Sequence, residues 1–260
     1  MRPVLVSSMP EPVFELDNVT VRYGTFTALS GISLRIEAGE RVALIGPSGA
    51  GKSTLLSLLN GSLAPTEGRL HLLGQDPMKL STRALRRLQQ QIGMVYQQFH
   101  LVPNLSVIHN VNAGHLGRWS LAKAMLSLII PLERQSAARA LADVGIADKL
   151  YARTDTLSGG QQQRVAIARV LVQDPVVILA DEPISSVDPE RSREIMTLLR
   201  TLCDRFNKTL VVSLHAIEYA YSHCERIVGL QAGRVAFDLP AAQVSPQMIE
   251  TLYRIRDPES

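Results

Sequence analysis

Several ingredients are scarce in this 260-residue chain, and each shortage narrows what it does. Cysteine occurs only twice, at Cys203 and Cys224. Neither falls in a Cys-x-x-Cys or Cys/His spacing, which favours free thiols in a reducing compartment over a disulfide or a metal site. Long apolar runs are missing. The longest, Ala124 to Leu132, is interrupted by Pro131, whereas a membrane span needs about 20 apolar residues. Residues 1–13 lack the apolar centre of a signal peptide. The chain is therefore expected to be soluble by itself and to serve a membrane through a partner. Positive charge is also in short supply. The net charge is +3, with no long basic tract and no basic–aromatic array, so no nucleic acid is expected as a partner.

What is present suits a globular protein with a sizeable core, since hydrophobic residues make up 46% and charged residues 20%. Residues 13–23 alternate as a strand, with a slip near Asp17, and Gly24 ends the pattern. Further strands are expected at Ile32–Ile36 and Arg41–Ile45. A helix follows from Lys52 to Asn60, then a strand at Arg69–Leu73, a basic helix at Ser81–Gln90 with a serine cap, and a strand at Ile92–Tyr96. From Gln97 to about Arg164 the strand signals stop and helical patterns take over, at Val107–Leu116, Leu121–Ile130 and Glu133–Val144. In the second of these, Leu121, Met125, Leu128, Ile129 and Leu132 share one face, which predicts core packing. Strands and helices then alternate again, at Val176–Ala180, Pro189–Phe206, Thr209–Leu214 and Arg226–Leu230. That alternation predicts a largely parallel sheet. Gly233-Arg234 joins two small antiparallel strands, and a surface helix is expected over residues 245–255.

Three stretches carry chemistry. Gly46-Pro47-Ser48-Gly49-Ala50-Gly51-Lys52-Ser53-Thr54 fits the phosphate-binding loop pattern between a strand and a helix. Its glycines let backbone N–H groups wrap phosphates, Lys52 neutralises β and γ oxygens, and Ser53 offers a hydroxyl to Mg²⁺. Val176 to Glu182 is an apolar run ending in paired acids. Asp181 is placed to hold Mg²⁺, and Glu182, one residue on, to polarise an attacking water. Leu157-Ser158-Gly159-Gly160-Gln161-Gln162-Gln163-Arg164 opens a helix with a Ser-Gly-Gly turn, a second anion site. His215 follows an apolar strand and is placed in the same strand-end crevice.

These motifs, in this order, resemble the ATP-binding-cassette ATPases, the motor subunits of ABC transporters, over about Val13 to Leu239. The resemblance implies an α/β fold: a P-loop (RecA-like) nucleotide-binding domain with an antiparallel β subdomain and an inserted α-helical subdomain. The ATP-binding core and β subdomain would take residues 13–97 and 165–240, the helical subdomain 98–164, and a helical tail 241–260. It implies that Tyr23 stacks on adenine, that Gln97 ligates Mg²⁺ and senses nucleotide, and that His215 contacts the γ-phosphate. It also implies that Ser186 and Asp188 belong to the loop that crosses to another subunit. Ser158, Gly159, Gly160 and Gln161 of one copy would close on ATP held by Lys52 of a second, giving a dimer with two ATP at its interface. The segment Phe99 to Val107 would dock a coupling helix of a membrane permease, with Phe99, Leu101 and Val102 as the contact candidates.

Finer resemblance is to the ATP-binding subunits of bacterial phosphonate importers. It rests on Leu101 to Val107, Gly117-Arg118, Gln161 to Arg164, Ser213-Leu214-His215 and Leu230 to Asp238. The implied role is a peripheral ATPase at the cytoplasmic face of the inner membrane. It would drive uptake of phosphonate, phosphite or hypophosphite from a periplasmic solute-binding protein. Export, lipoprotein release and a soluble non-transport ATPase are the alternatives. The last usually brings coiled coils, zinc modules or tandem cassettes, which are lacking here. Lys52→Ala is expected to weaken ATP binding and abolish turnover. A phosphate-release assay checks it, and normal hydrolysis by the variant refutes the loop assignment.

Overall fold

The computed structural model describes residues 12–127, 129–185 and 188–254. The alternating N-terminal residues form β1 (Pro12–Tyr23), which turns tightly into β2 (Phe26–Glu37). The slip near Asp17 is a register shift between Leu16 and Val19, with Asn18 at a φ of 50°. β2 begins at Phe26 rather than at Ile32. Cross-strand pairing of Tyr23 with Phe26 and of Arg22 with Thr27 recruits residues whose own pattern is weak. β3 (Arg41–Ile45) leaves this hairpin for a second sheet. After helix α1 (Lys52–Leu59), β4 (Glu67–Leu72) returns to complete an antiparallel sheet in the order β2-β1-β4.

Helix α2 (Thr82–Gln89) is capped by Ser81, whose hydroxyl accepts from the Ala84 amide. It leads into β5 (Ile92–Val95). A helical lobe follows, made of α3 (Val107–Asn112), α4 (Leu121–Ser127), α5 (Arg134–Asp143) and α6 (Gly159–Gln173). The chain then alternates through β6 (Val177–Asp181), α7 (Pro189–Phe206), β7 (Thr209–Ser213), α8 (Ile217–His223), β8 (Arg226–Gln231) and β9 (Arg234–Pro240). It closes with α9 (Pro246–Tyr253). The second sheet runs β5-β6-β7-β3-β8-β9. Every neighbouring pair is parallel except the antiparallel β8–β9 pair.

The core sheet is buried on both faces. Ala43, Ile45, Ile178, Ala180, Leu210 and Val212 face one apolar cluster. Val42, Leu44, Val177, Leu179 and Val211 face the other, with Leu55, Leu56, Leu58 and Leu59 of α1. Period-two side-chain placement sorts them, and covering both faces is why these strands read as unbroken apolar runs. Cys203 and Cys224 are buried free thiols. Burial pushes both up to about 12, so neither forms a reactive thiolate at neutral pH. Among the described residues no helix is long and apolar enough to cross a membrane.

The expected core-facing stripe on α4 is corrected by the structure. Leu121 is 79% exposed, Met125 62% and Ile129 82%, while Leu128 lies outside the described residues. The apolar face of α6 is already covered by α3 and α5. The helix also ends at Ser127, before the stripe can continue. A methyl group at Gly114 would lie 2.2 Å from the Arg169 carbonyl of α6, a backbone contact that cannot give way. Gly114→Ala is therefore expected to destabilise the fold by about 1–3 kcal/mol. The midpoint of urea unfolding reads this, and an unchanged midpoint refutes the tight packing of the lobe on α6.

Candidate functional site

The phosphate-binding loop begins where β3 ends. Gly46 has a φ of 148°, and a Cβ there would sit 2.1 Å from the Leu230 carbonyl oxygen. Gly51, with a φ of 103°, precedes α1, and its Cβ would strike Leu29 and the Ala28 carbonyl. Both positions thus exclude a side chain on conformation and on space. Lys52 is buried, and its ammonium donates to the carbonyls of Gly46 at 2.8 Å and Pro47 at 3.2 Å. Burial lowers its pKa, and the carboxylates of Glu182 and Asp181 oppose that shift. The loop borders a cleft of about 270 Å³ lined by Phe26, Ala28, Ser48, Lys52, Ser53 and Glu182, among others.

The paired acids meet this cleft from β6. Ser53 donates to Asp181 Oδ1 at 3.3 Å, and Ser213, at the end of β7, donates to the same oxygen at 2.7 Å. The Ser213 hydroxyl in turn accepts from the Glu182 amide at 2.8 Å. Glu182 has a φ of 46°, in the left-handed region. That backbone turn separates the two carboxylates. Asp181 points to Ser53, and Glu182 Oε1 lies 2.6 Å from His215 Nε2. The parallel strands β3, β6 and β7 thus bring Lys52, Ser53, Asp181 and Glu182 together beyond their carboxyl ends, while His215 lines an adjoining pocket that shares Glu182 with the cleft.

The remaining residues singled out from sequence lie elsewhere. Ser158 caps α6 in a capping box: its hydroxyl accepts from the Gln161 amide at 3.4 Å, and its own amide donates to Gln161 Oε1 at 3.0 Å. Ser158 and Gly159 are exposed, and none of Ser158, Gly159, Gly160 and Gln161 lines the cleft. Gln97 is exposed just beyond β5. Asp188 caps α7 through the Arg191 amide, and Ser186 lies outside the described residues. Of the three docking candidates, Val102 is 51% exposed and Leu101 packs against the core. Tyr23 is 53% exposed at the hairpin end.

Several residues act here that sequence reasoning overlooked. Phe26, opposite Tyr23 in register, lines the cleft, and the tight Tyr-Gly-Thr-Phe hairpin was the available signal. Arg169 of α6 donates to the carbonyls of Phe99 and His100, both at 2.7 Å, where those two residues take positive φ. Gln163 is fully buried and donates to the Pro183 carbonyl next to Glu182. The Tyr253 hydroxyl of α9 accepts from the Gly46 amide at 3.2 Å. Nothing local in the sequence announces these last three long-range contacts.

The family model described as ABC transporter matches residues 29–185. The chain is 50% identical over 226 residues to the "Phosphonates import ATP-binding protein PhnC" of Pseudomonas fluorescens, covering 87% of this chain and 85% of the relative. It is 46% identical to the protein of the same name from Pseudomonas putida, covering 92% and 88%. Among solved structures it is similar to cbiO1 of Clostridium perfringens, part of the ABC transporter complex cbiONQ. The TM-score is 0.78, with 30% identity and coverage of 89% of this chain and 90% of that one. It is also similar to the dimeric post-hydrolysis cassette MJ0796 bound to ADP and Pi, with a TM-score of 0.75, 34% identity and coverage of 88% and 98%.

Removing the Ser213 hydroxyl leaves the Glu182 amide without its acceptor and Asp181 with only the longer of its two hydroxyl donors, Ser53. Ser213→Ala is expected to lower kcat roughly tenfold with ATP affinity nearly unchanged, the pattern of a lost transition-state contact. Steady-state turnover with a nucleotide-binding titration checks it, and a wild-type kcat refutes the positioning role.

Proposed function

Because this chain belongs to the ABC transporter family and is an ATP hydrolase of it, we propose that it is the motor of a bacterial importer for phosphonate or a related reduced-phosphorus oxyanion. The observation that carries the motor role is the meeting of Lys52, Ser53, Asp181 and Glu182 at the strand ends, with His215 hydrogen-bonded to Glu182 from the adjoining pocket. The solute class rests on the phosphonate-import relatives. The transported solute never meets this subunit, so its own side chains do not read it.

The chemistry follows from the positions of the side chains. The loop amides and Lys52 cradle the triphosphate, with Lys52 exchanging its carbonyl partners for phosphate oxygens. The hydroxyl of Ser53 and the carboxylate of Asp181 are hard oxygen donors close together, the set that suits Mg²⁺ bound chiefly through nucleotide phosphates. Gln97 would complete the set. When bound, Mg²⁺ neutralises charge on the β and γ oxygens. Glu182 orients the attacking water, and His215, hydrogen-bonded to Glu182, stands next to the γ-phosphate. Tyr23 and Phe26 provide the aromatic surface for adenine.

Ser158, Gly159, Gly160 and Gln161 lie outside the cleft of their own chain, which is consistent with the role the family resemblance gives them, serving the ATP of a second copy. The capping box holds that helix start ready, and its remaining free amides meet the γ-phosphate. Asp188, the cap of α7, runs along the same dimer interface. Two ATP then favour a closed dimer, and hydrolysis reopens it. Permease subunits in the inner membrane, contacted through the Phe99–Val107 segment, convert closure into transport, with a periplasmic solute-binding protein delivering the solute.

Cells carrying the neighbouring transporter genes are expected to take up labelled phosphonate or phosphite with the wild-type chain and to lose that uptake with Glu182→Gln. The purified variant should bind ATP, hydrolyse it slowly and remain dimeric. Equal uptake with both chains overturns the solute assignment. A monomeric, fully active variant overturns the closed-dimer mechanism.

A further inference from the structure

The ATP chemistry leaves one face of the molecule unused. Between Asp76 and Glu133 the sequence contains no aspartate or glutamate, yet it carries Arg83, Arg87, Arg118 and Lys123, among other cations. The fold makes this stretch continuous in space. On α2, Arg83, Arg87 and Gln90 are spaced four and three apart, which places them on one stripe. Both arginines are exposed. Gln90 Nε2 donates to the Gly117 carbonyl, so the stripe runs into the segment Gly117-Arg118-Trp119 that opens onto α4. Beyond that junction the corrected residues Leu121, Met125 and Ile129 project outward.

The junction itself has a mixed character. Trp119 stacks on His115 with ring centroids 5.2 Å apart, and the Lys123 ammonium lies 5.0 Å from the Trp119 ring centroid. Glu133, which ends the acid-free stretch, is paired with Lys123 at 2.8 Å. A face rich in exposed arginine, ending in a short helix of protruding apolar side chains with tryptophan at the border, has the composition of an interfacial membrane contact.

We propose that this face docks on an anionic lipid bilayer. Leu121, Met125 and Ile129 seat at the acyl boundary, Trp119 lies at headgroup depth, and Arg83 and Arg87 meet lipid phosphates, while Arg118 is held by the Gln173 and Asp174 carbonyls. The exposed Arg83 and Arg87 complement an anionic lipid surface. The apolar side chains stand out from the molecule, so a soft bilayer receives them without a preformed recess. One short helix gives weak, reversible binding, and two copies in a dimer strengthen it. The contact is independent of which solute is transported and adds to whatever the permease supplies.

Trp119 is the only tryptophan in the chain, so its fluorescence reports this face directly. The full-length protein is mixed with vesicles of phosphatidylglycerol and phosphatidylcholine, or of phosphatidylcholine alone, and followed by flotation and Trp119 emission. Co-flotation and a blue shift are expected with the anionic vesicles, with several-fold weaker binding to phosphatidylcholine alone and in high salt. Leu121→Ser/Ile129→Ser should weaken flotation about tenfold or more while ATP turnover in solution stays at the wild-type level. Arg83→Glu/Arg87→Glu should remove the preference for anionic lipid. Absence of wild-type flotation overturns the proposal, as does equal flotation of the serine variant. If the serine variant instead loses a detergent-purified permease while the wild type ignores vesicles, the face is a protein contact and the proposal is likewise overturned. Lost phosphonate uptake together with normal flotation would instead count only against the transport reading.

Discussion

Two-sided burial of the parallel sheet is the constraint on which everything else depends. Strands covered on both faces cannot be approached from above or below, so chemistry is confined to their ends. The loop after β3, the acids after β6 and the histidine after β7 all leave the sheet at the same edge. Their side chains converge because their strands are neighbours, although Lys52 and His215 are far apart in sequence. Rigid strands below and mobile nucleotide above is an arrangement that positions reacting groups without freezing the ligand.

Helix α6 ties the lobes together, and it does so by polar contacts that radiate from one element. Its first residues form the exposed turn capped by Ser158. One turn on, Gln163 reaches the carbonyl after Glu182, and Arg164 bridges the Val144 carbonyl and Glu194. Further along, Arg169 holds the bend that follows Gln97. A rotation of this helix would therefore be felt at the acid pair and at the segment assigned to the permease. The buried Gln163 makes that coupling costly to break, since the Pro183 carbonyl would lose its partner in a dry interior.

Much of this was legible from residue patterns. The glycine-rich loop, the apolar run ending at Asp181-Glu182 and the serine cap of α6 are local signals whose chemistry and conformation coincide, and the folded chain places them as local rules require. The hairpin partner Phe26 was half legible, because a tight turn fixes what lies opposite Tyr23 but the pattern after Gly24 is weak. Helix α4 was misread for a physical reason: amphipathic spacing reveals that an apolar face exists, not what covers it. Gln163, Arg169 and Tyr253 were invisible because a long-range hydrogen bond leaves no periodicity behind.

The bond from the Gly46 amide to the Tyr253 hydroxyl joins residues separated by most of the chain. Gln231 secures the same helix end by donating to the Leu252 carbonyl at 3.0 Å. During synthesis the loop emerges from the ribosome well ahead of its tyrosine partner, 207 residues further along the chain. The finished geometry of the nucleotide cradle is thus acquired late, after residues as far as Tyr253 have cleared the exit tunnel. A chain stalled midway holds the complete phosphate-binding motif without the contact that completes its first turn.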